Sequence, residues 1–219
     1  MNTRILQWYL RRSWFFIGLT LVLAIVSFGW WQGSSADLTL VGGRLIVAGR
    51  LFGLLAALGI LIEVVLMARI PYIEKHFDLH ENLDLHRLNG YGVLLFTVAH
   101  VITLTLGYAA ARHNSFIAQF IDLNTGIEDI LWATIGTFVF CAAVASSVAV
   151  ARKRLPHELW YAIHLTMYGA ILLTFLHQVG AGGDFISQAW FVWFWYGLYG
   201  AVFTALAYWR FLRPVVMSL

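Results

Sequence analysis

Two stretches decide the fold: HRLNGYGVLLFTVAHVITLTLGY, residues 86–108, and ELWYAIHLTMYGAILLTFLHQV, residues 158–179. Each exceeds the roughly 20 apolar residues that a helix needs to cross a hydrocarbon core about 30 Å thick. Each also carries two histidines, His86 and His100 in the first, His164 and His177 in the second. Four further segments of the same kind cover residues 13–31, 45–68, 129–150 and 187–209. The pattern predicts an all-α integral membrane protein, a six-transmembrane-helix bundle forming one domain over residues 1–219. The connections read as loops: Gly33-Ser34-Ser35, Asn124-Thr125-Gly126, and Gly180-Ala181-Gly182-Gly183-Asp184.

Composition excludes the common soluble classes. The chain is 61% hydrophobic and 11% charged, with a mean hydropathy of +0.78, whereas soluble domains carry roughly a quarter charged residues. The net charge of +3 does not point to nucleic acid, because the cations sit in short clusters between apolar segments rather than in one patch. They read as topology signals. Arg4, Arg11, Arg12, Arg69, Lys75, Arg87, Arg152, Lys153, Arg154, Arg210 and Arg213 fall at one set of segment ends, leaving Arg44, Arg50 and Arg112 toward the other. Positively charged loops resist translocation, so both termini are expected in the cytoplasm of a multi-pass cell-membrane protein. Trp8, Trp30, Trp31, Trp132, Trp160, Trp190 and Trp209 lie near segment ends, as interfacial anchors do. The first segment has a signal-peptide alternative, with Ser34-Ser35-Ala36 as the cleavage site, but its apolar run is longer than the usual signal core. Cys141, the single cysteine, lies inside an apolar segment and offers neither a disulfide nor a thiolate metal site.

Polar groups at membrane depth are expensive unless they have partners. If the third and fifth segments both run outward from the cytoplasm, His86 and His164 share an inner level and His100 and His177 an outer one. At about 1.5 Å per residue the two levels are roughly 20 Å apart, which suits two porphyrin sites in one bilayer. Neutral imidazole is a good iron ligand, and no cysteine, methionine or carboxylate set competes at these depths. Zinc would want one tight cluster. For any single histidine a hydrogen bond to a neighbouring helix or a proton relay remains the alternative. Ideal rotation leaves His86 and His100 about 40° apart but His164 and His177 about 140° apart. This predicts an irregular fifth helix, with a kink or tightened turn near Gly169.

The surrounding text is similar to the haem helices of a known family. Histidines with thirteen residues between them on the third helix and twelve on the fifth, within His86-Arg87-Leu88-Asn89-Gly90 to Ala99-His100 and Glu158-Leu159-Trp160-Tyr161-Ala162-Ile163-His164 to Leu176-His177, resemble the transmembrane domain of ferric reductases and NADPH oxidases. The resemblance covers all six segments. It implies two b-type haems with bis-histidine ligation, fed by a cytosolic flavin domain or subunit carrying FAD and using NADPH or NADH. It also implies an oxidoreductase that passes electrons to a small external acceptor, ferric iron or dioxygen. Animal NADPH oxidases have a further histidine one turn beyond the outer ligand of the third helix; Leu104 stands there, which puts superoxide production in doubt.

Two arginines are candidate propionate partners, Arg87 beside the inner pair and Arg50 in the outer part of the second helix, where it needs a counter-charge. His113, in an external connection, is a weaker candidate near the outer haem. His76 and His80, with Asp78, Glu81 and Asp84, allow a surface metal site, but a polar cytoplasmic loop packing on the membrane or on a flavoprotein is the plainer reading. Leu155-Pro156-His157-Glu158 reads as a helix start. Two other functions stay open. One is a stand-alone haem subunit exchanging electrons with quinone or a periplasmic reductase. The other, of a different class, is a non-redox transporter or scaffold.

Overall fold

The computed structural model describes residues 3–34, 37–148 and 152–218, with side chains absent from the description for residues 3–12 and 37. Arg4, Trp8, Arg11 and Arg12, as side chains, and Ser35 and Ala36 of the cleavage-site reading therefore lie outside it. The described residues are helical, with no strand among them. In chain order the helices are α1 (Thr3–Gly33), α2 (Gly43–Met67), α3 (Pro71–His76), α4 (Leu79–Arg112), α5 (Phe116–Gly126), α6 (Glu128–Ser147), α7 (His157–Ala181), α8 (Gly183–Ile186) and α9 (Ala189–Leu206). A π-helical turn, Ala207–Leu212, then leads into α10 (Arg213–Met217). Six helices are long and apolar enough to cross a membrane, as the sequence predicts: α1, α2, α4, α6, α7 and the run from α9 through α10.

Packing divides the bundle into two close helix pairs, α2 on α4 and α6 on α7. Without a strong hydrophobic drive between helices in lipid, close approach relies on small residues. Gly49, Gly53 and Gly59 form such a row along α2. A Cβ there would meet Thr103 at 2.7 Å, His100 at 2.6 Å and Val93 at 2.6 Å respectively. On the other pair, a Cβ at Gly136 of α6 would lie 3.0 Å from the Ala170 carbonyl of α7. The second core joins α1, α2, α8 and α9. Phe191, Trp195 and Tyr199, spaced one turn apart on α9, bury against Val26, Leu54, Ala57, Leu61 and Phe185.

Three connections differ from the expected loops. The segment between α2 and α4 folds as α3, with Pro71 in its first turn, followed by a capping box in which Asp78 accepts from Glu81 N–H and Glu81 accepts from Asp78 N–H. Residues 79–85 thus extend α4 beyond the apolar segment, because local capping satisfies the exposed N–H groups. Between α4 and α6, Asn124-Thr125-Gly126 ends α5, a helix capped by the Ser115 hydroxyl and too short to cross a bilayer. The glycine-rich stretch before the sixth segment ends α7 and forms the single turn α8.

The tightened turn predicted near Gly169 is not found. α7 runs from His157 to Ala181 as α-helix, with no tightened or widened turn, and a Cβ at Gly169 would meet nothing within 4 Å.

Candidate functional site

α4 and α7 are not a packed helix pair; they face each other through imidazoles at two levels. The ring centroids of His86 and His164 are 6.0 Å apart, with planes at 78°. Those of His100 and His177 are 6.1 Å apart, with planes at 61°. The level matching read from the sequence is therefore reproduced in space, and the four histidines are brought together as two pairs.

The protons on the α4 histidines are fixed by what they face. His86 Nδ1 hydrogen-bonds to a carboxylate oxygen of Glu63 on α2, and His100 Nδ1 lies 2.7 Å from the Gly49 carbonyl. Both partners accept, so both Nδ1 atoms carry a hydrogen; the neutral ring then keeps its lone pair on Nε2, the state a metal ligand requires. Gly53 gives the His100 ring its place against α2, since any side chain there would strike the imidazole. On α7, His164 Nδ1 and His177 Nδ1 are buried without a hydrogen-bond partner.

Asn89, one turn beyond His86, holds the assembly at the inner level. Its amide donates to the second Glu63 oxygen at 2.7 Å and to the Gly59 carbonyl at 2.8 Å. Trp160 stacks on His164 at 5.3 Å and 22°, donates to the Ser147 hydroxyl at 3.1 Å, and carries the Arg152 guanidinium 4.6 Å above its ring. At the outer level, Gln178 beside His177 accepts from Trp195 Nε1 at 2.9 Å and Tyr199 OH at 3.1 Å, tying α7 to α9. Phe52 and Phe96 stack at 6.1 Å between α2 and α4.

The counter-charge that Arg50 needs is Asp184, in α8. The pair is nearly buried, with Arg50 Nε 3.0 Å from Oδ2 and a second bond from Nη2 to Oδ1, while Nη2 also donates to the Gly33 carbonyl at 3.1 Å. Arg87 is exposed and reaches Asp84 at 3.4 Å. His113 forms the C-cap of α4 with φ of 55°. His76 Nδ1 bonds the Tyr72 carbonyl at 2.6 Å. No group of three or more His, Cys, Asp and Glu able to hold a metal ion occurs among the described residues.

Glu63 takes no part in the sequence reading, and Asn89 and Asp184 enter it only within a quoted motif and a loop, with no role of their own. A carboxylate inside the apolar run 45–68 is itself a signal, because such groups are rare at membrane depth without a partner. Asp184 gives no such signal within its glycine-rich connection.

Haem fits these residues on the chemistry of the donor set. Two facing imidazoles per level, one of them with its Nδ1 held, are a donor set that would hold a haem iron. The ring-centroid separations near 6 Å would leave room for a metal between the facing rings. No curated protein and no solved structure matches the chain. A family model, the ferric reductase like transmembrane component, matches residues 52–175, more than half the chain. That span takes in Glu63, Asn89, His86, His100 and His164 and stops two residues before His177. The chain belongs to the ferric reductase-like transmembrane family.

Proposed function

We propose that this chain carries single electrons across a bilayer through two b-type haems, the inner held by His86 and His164 and the outer by His100 and His177. Membership of the family supports transmembrane electron transfer and oxidoreductase activity in general. The observation that carries the finer reading is the two imidazole pairs, with ring centroids 6.0 and 6.1 Å apart, at the two levels where α4 and α7 present histidines to each other. Haem supplies the one-electron chemistry when bound.

The chain's own residues position and insulate. Glu63 and the Gly49 carbonyl hold the α4 imidazoles with Nε2 turned to accept a metal. Asn89 holds Glu63, and the stack of Trp160 on His164 steadies the inner α7 ligand. Arg87, exposed beside the inner pair, is the candidate partner for a propionate; Arg50, committed to Asp184, braces α1, α2 and α8 near the outer pair. The cationic clusters support a topology with the His86 level and both termini on the cytoplasmic side. Electrons then enter from a flavin and NAD(P)H donor there and leave at the His100 level for a small acceptor, ferric iron or dioxygen.

The test is electron transfer through sealed proteoliposomes holding ferricyanide, with dithionite added outside. Haem-loaded wild-type protein should bleach the entrapped ferricyanide, and His100→Ala or His177→Ala should abolish bleaching. Bleaching at the rate of protein-free vesicles would contradict the proposal.

A further inference from the structure

We propose that Glu63 sets the direction of electron flow, its carboxylate on His86 Nδ1 holding the His86/His164 centre at a lower reduction potential than the His100/His177 centre. The inference rests on the reading of both histidine pairs as haem ligands. The two centres share one plan, although only the inner one has an indole, Trp160, stacked on its α7 histidine. Each takes one histidine from α4 and one from α7, the ring separations are 6.0 and 6.1 Å, and each α7 histidine has a buried Nδ1 with no partner. They differ at the α4 histidine, where Nδ1 of His86 meets a carboxylate and Nδ1 of His100 meets the neutral carbonyl of Gly49 at 2.7 Å.

That difference has a definite sign. An imidazole whose N–H is held by a carboxylate is the more basic ligand, and a basic ligand with a nearby negative charge favours ferric over ferrous iron. Low surrounding polarity strengthens the effect. The carboxylate is held in place, since the Glu63 side chain is only 16% exposed and its other oxygen takes the Asn89 amide at 2.7 Å. Of the cations at this level, Arg87 is turned outward to Asp84, and Arg152 lies over the Trp160 ring that stacks on His164, while Glu63 bonds His86 directly. At the outer level the charges beside Gly49 are the Arg50–Asp184 pair, which neutralise each other. One electron leaves the inner centre, which is oxidised, and arrives at the outer, which is reduced; no proton or further reactant is needed.

The test is a spectroelectrochemical titration of purified, haem-loaded protein, in wild type and Glu63→Gln. The lower midpoint is assigned by repeating both in a His177→Ala background that keeps the inner centre. Wild type should show two one-electron midpoints. Glu63→Gln, which keeps an acceptor but removes the charge, should raise the lower midpoint and leave the upper in place. The inner-to-outer equilibrium constant should fall about tenfold, or 59 mV for one electron. Glu63→Asp should fall between the two. An unmoved lower midpoint, or equal movement of both, would overturn the proposal. If Glu63→Gln loses the inner haem, Glu63→Asp decides: a midpoint as low as wild type or nearly so supports the proposal, and an inner haem that is absent or high in potential overturns it. Wild-type protein without two haems would instead sink the ligand reading beneath it.

Discussion

At the scale of single residues, the site depends on partners that the sequence does not pair. Arg50 and Asp184 are 134 positions apart and nearly buried together. Removing one partner of such a pair leaves an uncompensated charge, at about 3–5 kcal/mol. Asp184→Ala should therefore lower the unfolding free energy in detergent by about that amount, and Arg50→Leu with Asp184→Leu should recover much of it. Equal stability of Asp184→Ala and wild type would show the pair to be idle. Gly53 makes a second case. Valine there would place branched carbons on the His100 ring, so Gly53→Val should lose the outer haem and retain the inner one, read as a halved haem content per chain. The four histidines are legible because imidazoles stand out in apolar runs. Glu63 carries the same kind of signal, yet its partner His86 is reached only once α2 lies along α4.

At the scale of elements, the six spans are legible from length and hydropathy, whereas helices too short to span are not. α3 and α5 read as connections because neither offers a run of about 20 apolar residues, although Asp78-x-x-Glu81 has the spacing of a capping box. The fifth spanning helix stays α-helical through Gly169, where the rotation between its two histidines predicts a tightened turn. If α7 is regular at Gly169, alanine there meets no neighbour and gains about 0.8–1.0 kcal/mol of helix propensity. Gly169→Ala should keep both haems and be at least as stable as wild type in thermal unfolding; loss of a haem would show that glycine is needed for the geometry. The α2–α4 contact predicts the reverse. Gly59→Leu forces a side chain onto Val93, and overpacking of this kind costs about 1–3 kcal/mol, which should appear as a lowered midpoint of unfolding.

At the scale of the molecule, two tightly packed helix pairs face each other, with α4 and α7 presenting imidazoles to one another at two levels. The topology proposed from the cationic clusters has its own check. In a Cys141→Ala background, cysteines at Arg154 and at His113 should react with an impermeant thiol reagent from opposite faces of sealed vesicles, and labelling of both from one face would contradict it. The central claim is that the four histidines hold two haems, and it is tested most directly by counting haem per chain, from the Soret absorbance, in purified wild type and in His86→Ala, His164→Ala, His100→Ala and His177→Ala. The account predicts two haems per chain in wild type and one in each variant; a wild-type ratio of one or zero, or variants that all keep two, would contradict it.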